Sequence, residues 1–143
     1  MIEIDKIKEK DINVDFIKKI ASLVLKGEKK NDYYLSIIFI SSALMRKLNK
    51  KHRGKDKATD VLSFCFLENK DFKQKEKWLG EIAICPQVVK KNANQFKKSF
   101  ESELALMVIH GILHTVGYDH EKTQAQAAKM EKRQLYYLKK AGF

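Results

Sequence analysis

The sequence predicts an α+β fold in which a small mixed β-sheet of about four strands packs with about five helices. Short apolar runs rich in β-branched and aromatic residues alternate with segments whose apolar residues recur at helical spacing. No internal repeat and no proline- or glycine-rich linker interrupts the 143 residues. A chain of this length can bury roughly two-thirds of its unfolded surface in one core. We therefore expect a single domain over residues 1–143.

The first half of the chain predicts two strands and two helices. The strands are predicted from alternating apolar residues and from a run of aromatic and β-branched residues. The helices are predicted from apolar residues three and four positions apart, with serine or glycine at their ends. In chain order these elements are a strand at Ile2 and Ile4, a helix over 14–26 that stops at Gly27, a strand over 33–40, and a helix from Ser41 or Ser42 to about Asn49.

The second half predicts a β-hairpin followed by three helices. Both hairpin strands are apolar, and the charged connection between them suits a solvent-facing loop. Proline, serine and threonine mark the starts of the helices. In chain order these elements are a strand over 61–67, a connection over 68–78, a strand over 79–85, a helix from Pro86 to about Lys97, a helix over 103–116 capped by Ser99 or Ser102, and a final helix from Thr123, with Gln126 in a capping box, to Gly142.

The charge of the chain indicates a polyanionic partner. Lys and Arg number 29 against 18 Asp and Glu, which gives a formal net charge of +11 and a pI near 9.6. Binding to phosphates releases counterions, and this release drives association with nucleic acid. The cations are also clustered, in 50–57, 90–91 and 97–98, which favours a nucleic-acid surface over a merely solvated basic one.

Neither an export signal nor a membrane segment is predicted. The amino terminus lacks a basic start with an apolar core, and the longest apolar runs fall far short of about 18 residues. We therefore expect a cytoplasmic protein with no membrane partner. Cys65 and Cys85 lie in apolar strand-like runs, so they are expected to be reduced and buried.

Three of the four histidines lie within eleven residues, and their spacing predicts a single metal site. On a helix over 103–116, His110 and His114 project from one face, with their Cα atoms about 6 Å apart along the axis. Gly117 provides the backbone freedom to end that helix and bring back His120 as a third ligand. Three histidine nitrogens around one Zn²⁺ leave its fourth position open, as in catalytic zinc sites.

This segment differs from a zinc-protease motif at one position that changes the chemistry. The protease pattern H-E-x-x-H-x-x-G-x-x-H is matched except at Gly111, where such enzymes have a glutamate general base. Without that carboxylate, peptide hydrolysis of the usual kind is disfavoured. Glu103 shares the histidine face, but it lies about 10 Å along the axis from His110 and is too distant to replace the base.

A second unusual segment, residues 49–64, runs from a charged loop into a predicted strand. Arg53 is its best candidate for holding a scissile phosphate, because a guanidinium can bind two phosphate oxygens at once. A solvated arginine with no specific contact is the alternative. Lys51, Lys55 and Lys57 lie beside Arg53 and are further candidates for contact with phosphates.

Three motifs stand out together: N-x-x-x-R-G-K-D-K-x-T-D-V-L-S-F at 49–64, L-G-E-I-A-I-C-P at 79–86, and H-G-I-L-H-x-x-G-Y-D-H at 110–120. In these motifs the chain resembles the YbeY family of bacterial rRNA maturation factors, and the likeness extends from about residue 33 to the carboxyl terminus. The third motif is highly specific, because it keeps three histidines and has glycine where proteases have glutamate. Ala58 and Cys65 stand where the family pattern has prolines, beside the basic loop.

The resemblance implies a zinc-dependent, single-strand-specific endoribonuclease that acts in rRNA maturation, notably at the 3′ end of 16S rRNA, and in ribosome quality control. It implies that His110, His114 and His120 bind one Zn²⁺ and that Arg53 is a catalytic residue. Arg53 and the three lysines beside it are expected to contact RNA. The implied partners are single-stranded RNA, rRNA and the small ribosomal subunit, with other ribosome-assembly proteins as further candidates.

Cleavage of a phosphodiester also needs proton transfer, and the sequence leaves the carriers open. A three-histidine zinc can provide hydroxide near neutral pH or polarise a phosphoryl oxygen, and Arg53 can share the added charge. The candidate acids and bases are Asp119, Glu121, Asp60 and His52. An RNA-binding assembly factor with a mainly structural zinc is the main alternative to a nuclease. A metalloprotease is a third hypothesis that Gly111 disfavours.

Overall fold

The computed structural model of the chain describes residues 2–5, 12–66 and 77–143, and a four-stranded mixed sheet lies at its centre. The strands are β1 (Ile2–Asp5), β2 (Tyr34–Phe39), β3 (Val61–Cys65) and β4 (Trp78–Ile84). They lie in the order β1-β2-β4-β3, with β1 and β4 parallel to β2, and β3 antiparallel to β4. The predicted hairpin pairing is therefore confirmed, and the last residue of its first predicted strand, at 67, and most of its predicted connection, over 68–76, lie outside the described residues.

Five helices within the described ranges surround the sheet, as the sequence predicts, and polar side chains cap most of them. The helices are α1 (Val14–Gly27), α2 (Ser42–Arg53), α3 (Pro86–Gln95), α4 (Phe100–Thr115) and α5 (Gln124–Lys140). Side-chain oxygens accept an amide hydrogen in the first turn at four N-caps, Asn13, Ser41, Ser99 and Thr123. Each such bond satisfies an amide that has no partner within its helix.

The second helix is one turn longer than predicted, and this corrects the placement of the basic segment. Residues 50–53 were expected in a loop because they show no apolar periodicity, but α2 continues to Arg53. Cations in a last helical turn interact favourably with its unpaired carbonyl groups. Gly54 then ends the helix in the left-handed region, with φ of 70°. Lys51 and Arg53 are thus helical, whereas Lys55 and Lys57 lie in the loop that follows.

The loop after α2 is ordered by side-chain contacts. Asn49 is buried and donates from Nδ2 to the Lys57 carbonyl at 2.8 Å. Arg46 pairs with Asp56 through two hydrogen bonds, of 2.8 and 3.2 Å. The loop therefore has a defined shape although Ala58 stands in place of the expected proline.

Two glycines explain how the helices approach their neighbours. The stop predicted at Gly27 is confirmed, since α1 ends at this residue, and an added Cβ there would stand 2.2 Å from the Tyr137 Oη. Its role is close packing of α1 against α5. An added Cβ at Gly111 would stand 2.8 Å from the Ile82 Cγ2, so this position packs against β4.

The fourth helix is the centre of the hydrophobic core. Its apolar side chains are buried almost all round, between the sheet on one side and α1 and α5 on the other. A smaller apolar cluster covers the opposite sheet face, where α2 packs through Met45. The helix begins at Phe100, earlier than predicted, because Ser99 and not Ser102 is the cap. Its last two turns are therefore held firmly in the fold.

No helix in the described part of the chain combines the length and apolar character needed to cross a membrane.

Candidate metal centre

The three clustered histidines converge at the end of α4. Their ligand nitrogens all lie within 4.8 Å of one another. The Nε2 of His114 is 3.1 Å from the Nε2 of His110 and 3.0 Å from the Nδ1 of His120. Nitrogens bound to one tetrahedral zinc at about 2.0–2.1 Å would be about 3.3 Å apart. The donor set therefore fits a single metal ion, and the structure brings together all three ligands that the spacing predicts.

A short turn after α4 produces this convergence. His110 and His114 are one turn apart near the end of the helix, and Gly117 follows with φ of 110°. That φ is in the left-handed region, which glycine adopts at little cost. Next, Asp119 Oδ1 accepts the Glu121 amide at 2.8 Å, which folds the chain so that the imidazole of His120 faces the other two.

Burial keeps the two helical histidines neutral. Desolvation, followed by the nearby His110 and His120, lowers the pKa of His114 to about 4. Burial also lowers the pKa of His110, although its hydrogen bond to Gln134 opposes this. Only a neutral imidazole has a lone pair for a metal ion. At pH 7, therefore, neither histidine needs to release a proton before it binds a metal ion.

The orientation of His110 is fixed by a residue that the sequence analysis missed. His110 Nδ1 donates a short hydrogen bond to Gln134 Oε1 on α5. Such a partner fixes the tautomer, and here it leaves the Nε2 lone pair facing the other histidines. Gln134 was not predicted because it is one polar residue on a long amphipathic helix. Its spacing of four from the buried Met130 places it on the inward side of α5, which was the available signal.

We expect Gln134→Leu to weaken zinc binding by about 10–100-fold, because His110 loses the partner that orients it. Gln134→Glu should retain or strengthen binding, since a carboxylate accepts the same hydrogen bond. The measurement is competition for Zn²⁺ with a chelator of known affinity. Gln124→Leu, an exposed position on the same helix, is the control. Equal affinities for Gln134→Leu and the control would contradict the orienting role.

A cavity of about 370 Å³ opens beside the histidines. One wall is β3, which presents the side chains of Val61, Ser63 and Cys65, and another is the turn after α4. Ser63 Oγ also donates to the Gly111 carbonyl at 3.3 Å, which ties β3 to the histidine helix. Cys65 is only partly buried and donates from Sγ to the Thr115 carbonyl at 3.2 Å, so the expectation of a fully buried thiol is wrong for this residue. Cys85 is a buried thiol, as predicted.

Arg53 reaches this cavity from the end of α2. Its Nη2 donates to Glu121 Oε1 at 2.8 Å, and the same oxygen lies 3.8 Å from His120 Nε2. The hydrogen bond from Arg53 holds the pKa of Glu121 below its usual value. Both partners are largely exposed, so a bound anion can replace Glu121 as the partner of the guanidinium.

The other predicted RNA contacts lie outside the cavity wall. Lys51, Lys55 and Lys57 are exposed, and none of them lines the cavity. Lys122, which the sequence analysis did not single out, does line it. Its position two residues after the last histidine was the available signal.

The four candidate proton carriers separate into two groups. Asp119 and Glu121 line the cavity, whereas Asp60 and His52 do not. Asp60 accepts from the Val61 amide at 2.8 Å and from Asn92 at 3.3 Å, which holds the start of β3. His52 packs edge-on against Phe64, with ring centroids 5.0 Å apart. These two side chains are therefore not part of the cavity wall.

The fold and the site together define a class of α+β proteins in which a central helix and the turn after it present three histidines for a metal ion. The family model described as "Endoribonuclease YbeY" matches residues 2–142. The chain belongs to the YbeY family, the same family that its three motifs resemble.

Individual relatives agree with this assignment. A protein of Thermodesulfovibrio yellowstonii named Endoribonuclease YbeY is 42% identical, over 81% of this chain and 78% of its own length. The protein of the same name from Thermotoga maritima is 40% identical, over 75% of this chain and 67% of its own length. A solution structure of a Thermotoga maritima protein matches 99% of this chain and 89% of its own, with 31% identity and a TM-score of 0.67.

Proposed function

We propose that this chain is a zinc-dependent endoribonuclease that cleaves single-stranded RNA in rRNA maturation, at the 3′ end of 16S rRNA, and in ribosome quality control. One observation supports this function most directly: Arg53 and two of the clustered histidines line the same cavity, in a chain of the endoribonuclease YbeY family. We further propose that residues 1–143 act as one domain in the cytoplasm, on rRNA and the small ribosomal subunit. Other ribosome-assembly proteins are candidate partners.

The donor set supports zinc as the metal. Three imidazole nitrogens at tetrahedral spacing suit Zn²⁺, and they leave one position for water or substrate. Bound there, the ion would provide Lewis acidity and lower the pKa of a water ligand towards neutrality. His110, His114 and His120 would hold it. The core around α4 is formed by apolar side chains and does not include the three histidines, which argues against a purely structural role for the metal.

The side chains around the cavity divide the remaining tasks. Arg53 exchanges Glu121 for a non-bridging phosphate oxygen and stabilises the negative charge that develops during cleavage. Glu121, once released, is the better-placed proton carrier at Oε1, because Asp119 already accepts the Glu121 amide. Lys122 adds positive charge at the cavity, and the exposed Lys51, Lys55 and Lys57 extend it over the surface beside α2.

The direct test combines metal analysis with RNA cleavage. Purified protein is assayed after zinc loading and after chelation, on a single-stranded RNA with a 16S 3′ extension and on a duplex of the same sequence. Cleavage of the single strand alone, restored by added zinc, is the expected result. Tight RNA binding without cleavage in any metal state would instead support the assembly-factor alternative.

RNA affinity should fall steeply as salt concentration rises, because most of the proposed contacts are between lysines and phosphates. For single strands, the slope of log affinity against log salt concentration decreases in magnitude by about 0.7 for each phosphate contact removed. We expect this change for Lys51→Ala, Lys55→Ala, Lys57→Ala and Lys122→Ala, measured as the slope of log affinity against log salt. Lys18→Ala is the control, since Lys18 lies beside β1 at the opposite sheet edge. A salt-independent affinity would exclude this electrostatic surface.

A further inference from the structure

A second cavity, of about 330 Å³, adjoins the metal centre. Gly117, Tyr118 and Asp119 line both cavities, so the turn that leads to His120 is their common wall. We propose that this second cavity is a subsite that binds the nucleotide adjacent to the scissile phosphate. The subsite rests on the proposed nuclease function, because an RNA strand that leaves the metal cavity across this turn enters the second cavity next.

The charges around the second cavity favour a phosphate. Lys30, after α1, and Lys129, on α5, both line it. Among the described residues, neither lysine takes part in an ion pair. Glu28 is neutralised by its ion pair with Arg133 at 2.5 Å, whereas Asp119 only accepts the Glu121 amide and keeps its charge. The two lysine ammonium groups therefore outnumber the remaining carboxylate and can meet an anion.

The other wall groups suit a nucleobase. Tyr118 and Val116 give an apolar surface, and Lys129 Nζ lies 5.7 Å from the centroid of the Tyr118 ring. An aromatic ring flanked by a cation is the usual combination in single-strand binding sites. The Gln126 side chain also lines the cavity and can exchange hydrogen bonds with a base edge.

The turn that forms the common wall of the two cavities is held in place by Glu28. Burial raises the pKa of Glu28, but hydrogen bonds from Tyr137, Arg133 and Tyr118 outweigh this effect and keep the pKa below its usual value. The Glu28 carboxylate therefore stays ionised and anchors Tyr118 to α5. A fixed wall means that a nucleotide in the subsite adopts a defined position relative to the histidines.

The test combines two lysine substitutions with shortened RNA. Zinc-loaded wild type is compared with the double variant Lys30→Gln/Lys129→Gln and with the charge-matched control Lys18→Gln/Lys19→Gln on α1. Affinity is measured by fluorescence anisotropy with phosphorothioate oligouridylates shortened one nucleotide at a time from either end. Catalysis is measured as single-turnover cleavage of the corresponding RNA at saturating enzyme.

The expected result is a loss of affinity of about tenfold for the subsite variant, because two phosphate contacts are removed. Its zinc content should match that of wild type. Removing one terminal nucleotide from the oligouridylate should lower the RNA affinity of wild type and of the control variant. It should not lower the affinity of the subsite variant, because that variant has already lost the subsite.

Equal affinity of the subsite and control variants on every oligouridylate would overturn the subsite and leave the nuclease function intact. Failure of zinc-loaded wild type to cleave any RNA would overturn the nuclease function instead. The anisotropy series would then still decide whether the second cavity binds RNA.

Discussion

Arg53→Ala is expected to reduce the cleavage rate at saturating enzyme by about 10²–10³-fold, the usual cost of losing one donor to a developing negative charge. RNA affinity should fall only modestly, because a single phosphate contact mainly positions the strand. The guanidinium lies at the cavity mouth, 2.8 Å from Glu121, where a phosphate oxygen can take the place of the carboxylate. Single-turnover cleavage at saturating enzyme separates the two effects, since affinity then no longer limits the rate.

Two further variants make this test specific. Arg53→Lys should rescue cleavage only in part, because an ammonium keeps the charge but loses the two-pronged geometry. Arg46→Ala is the matched control, since Arg46 also lies on α2 and also pairs with a carboxylate at 2.8 Å. If Arg53→Ala cleaves at the wild-type rate once saturated, Arg53 only positions RNA and the assembly-factor alternative gains support.

His114→Ala is expected to abolish both zinc binding and cleavage without unfolding the protein. Wild type should hold about one zinc per chain, because three imidazoles converge on one position. His114 is the central one of the three candidate ligands, with nitrogens of both other histidines within 3.1 Å of its Nε2. The variant should remain folded because the side chains that pack α4 into the core are apolar. Metal content and circular dichroism measure the two properties.

The fourth histidine offers a control for the loss of an imidazole. His52 packs against Phe64 and does not line the metal cavity, so His52→Ala should keep its zinc and its cleavage activity. Full zinc occupancy in His114→Ala would remove His114 from the ligand set.

Elements with local signals were predictable from the sequence. Serine and threonine caps and Pro86 mark helix starts through contacts within one turn, and the predicted starts at Pro86 and Thr123 agree with the structure. The end of α2 was not predictable in this way. Its last turn is entirely basic, a composition also typical of loops, and only the carbonyl groups at the helix end and Gly54 favour the helix.

The site shows the same division between local and distant contacts. The three histidines follow from spacing within a helix and its turn, so their convergence was predictable. Arg53 meets Glu121 across 68 positions of sequence, and that contact depends on how α2 packs on the sheet. The second cavity joins residues from the end of α1 to α5, which no local pattern relates.

The packing of Gly111 against Ile82 also restricts how this site can evolve. The histidine helix lies so close to β4 that any side chain at position 111 must displace a buried isoleucine. A protease-like glutamate at position 111 would therefore also require β4 or its isoleucine to change, and a smaller residue in place of Ile82 would leave a void in the core. One substitution alone does not turn this histidine site into that of a metalloprotease.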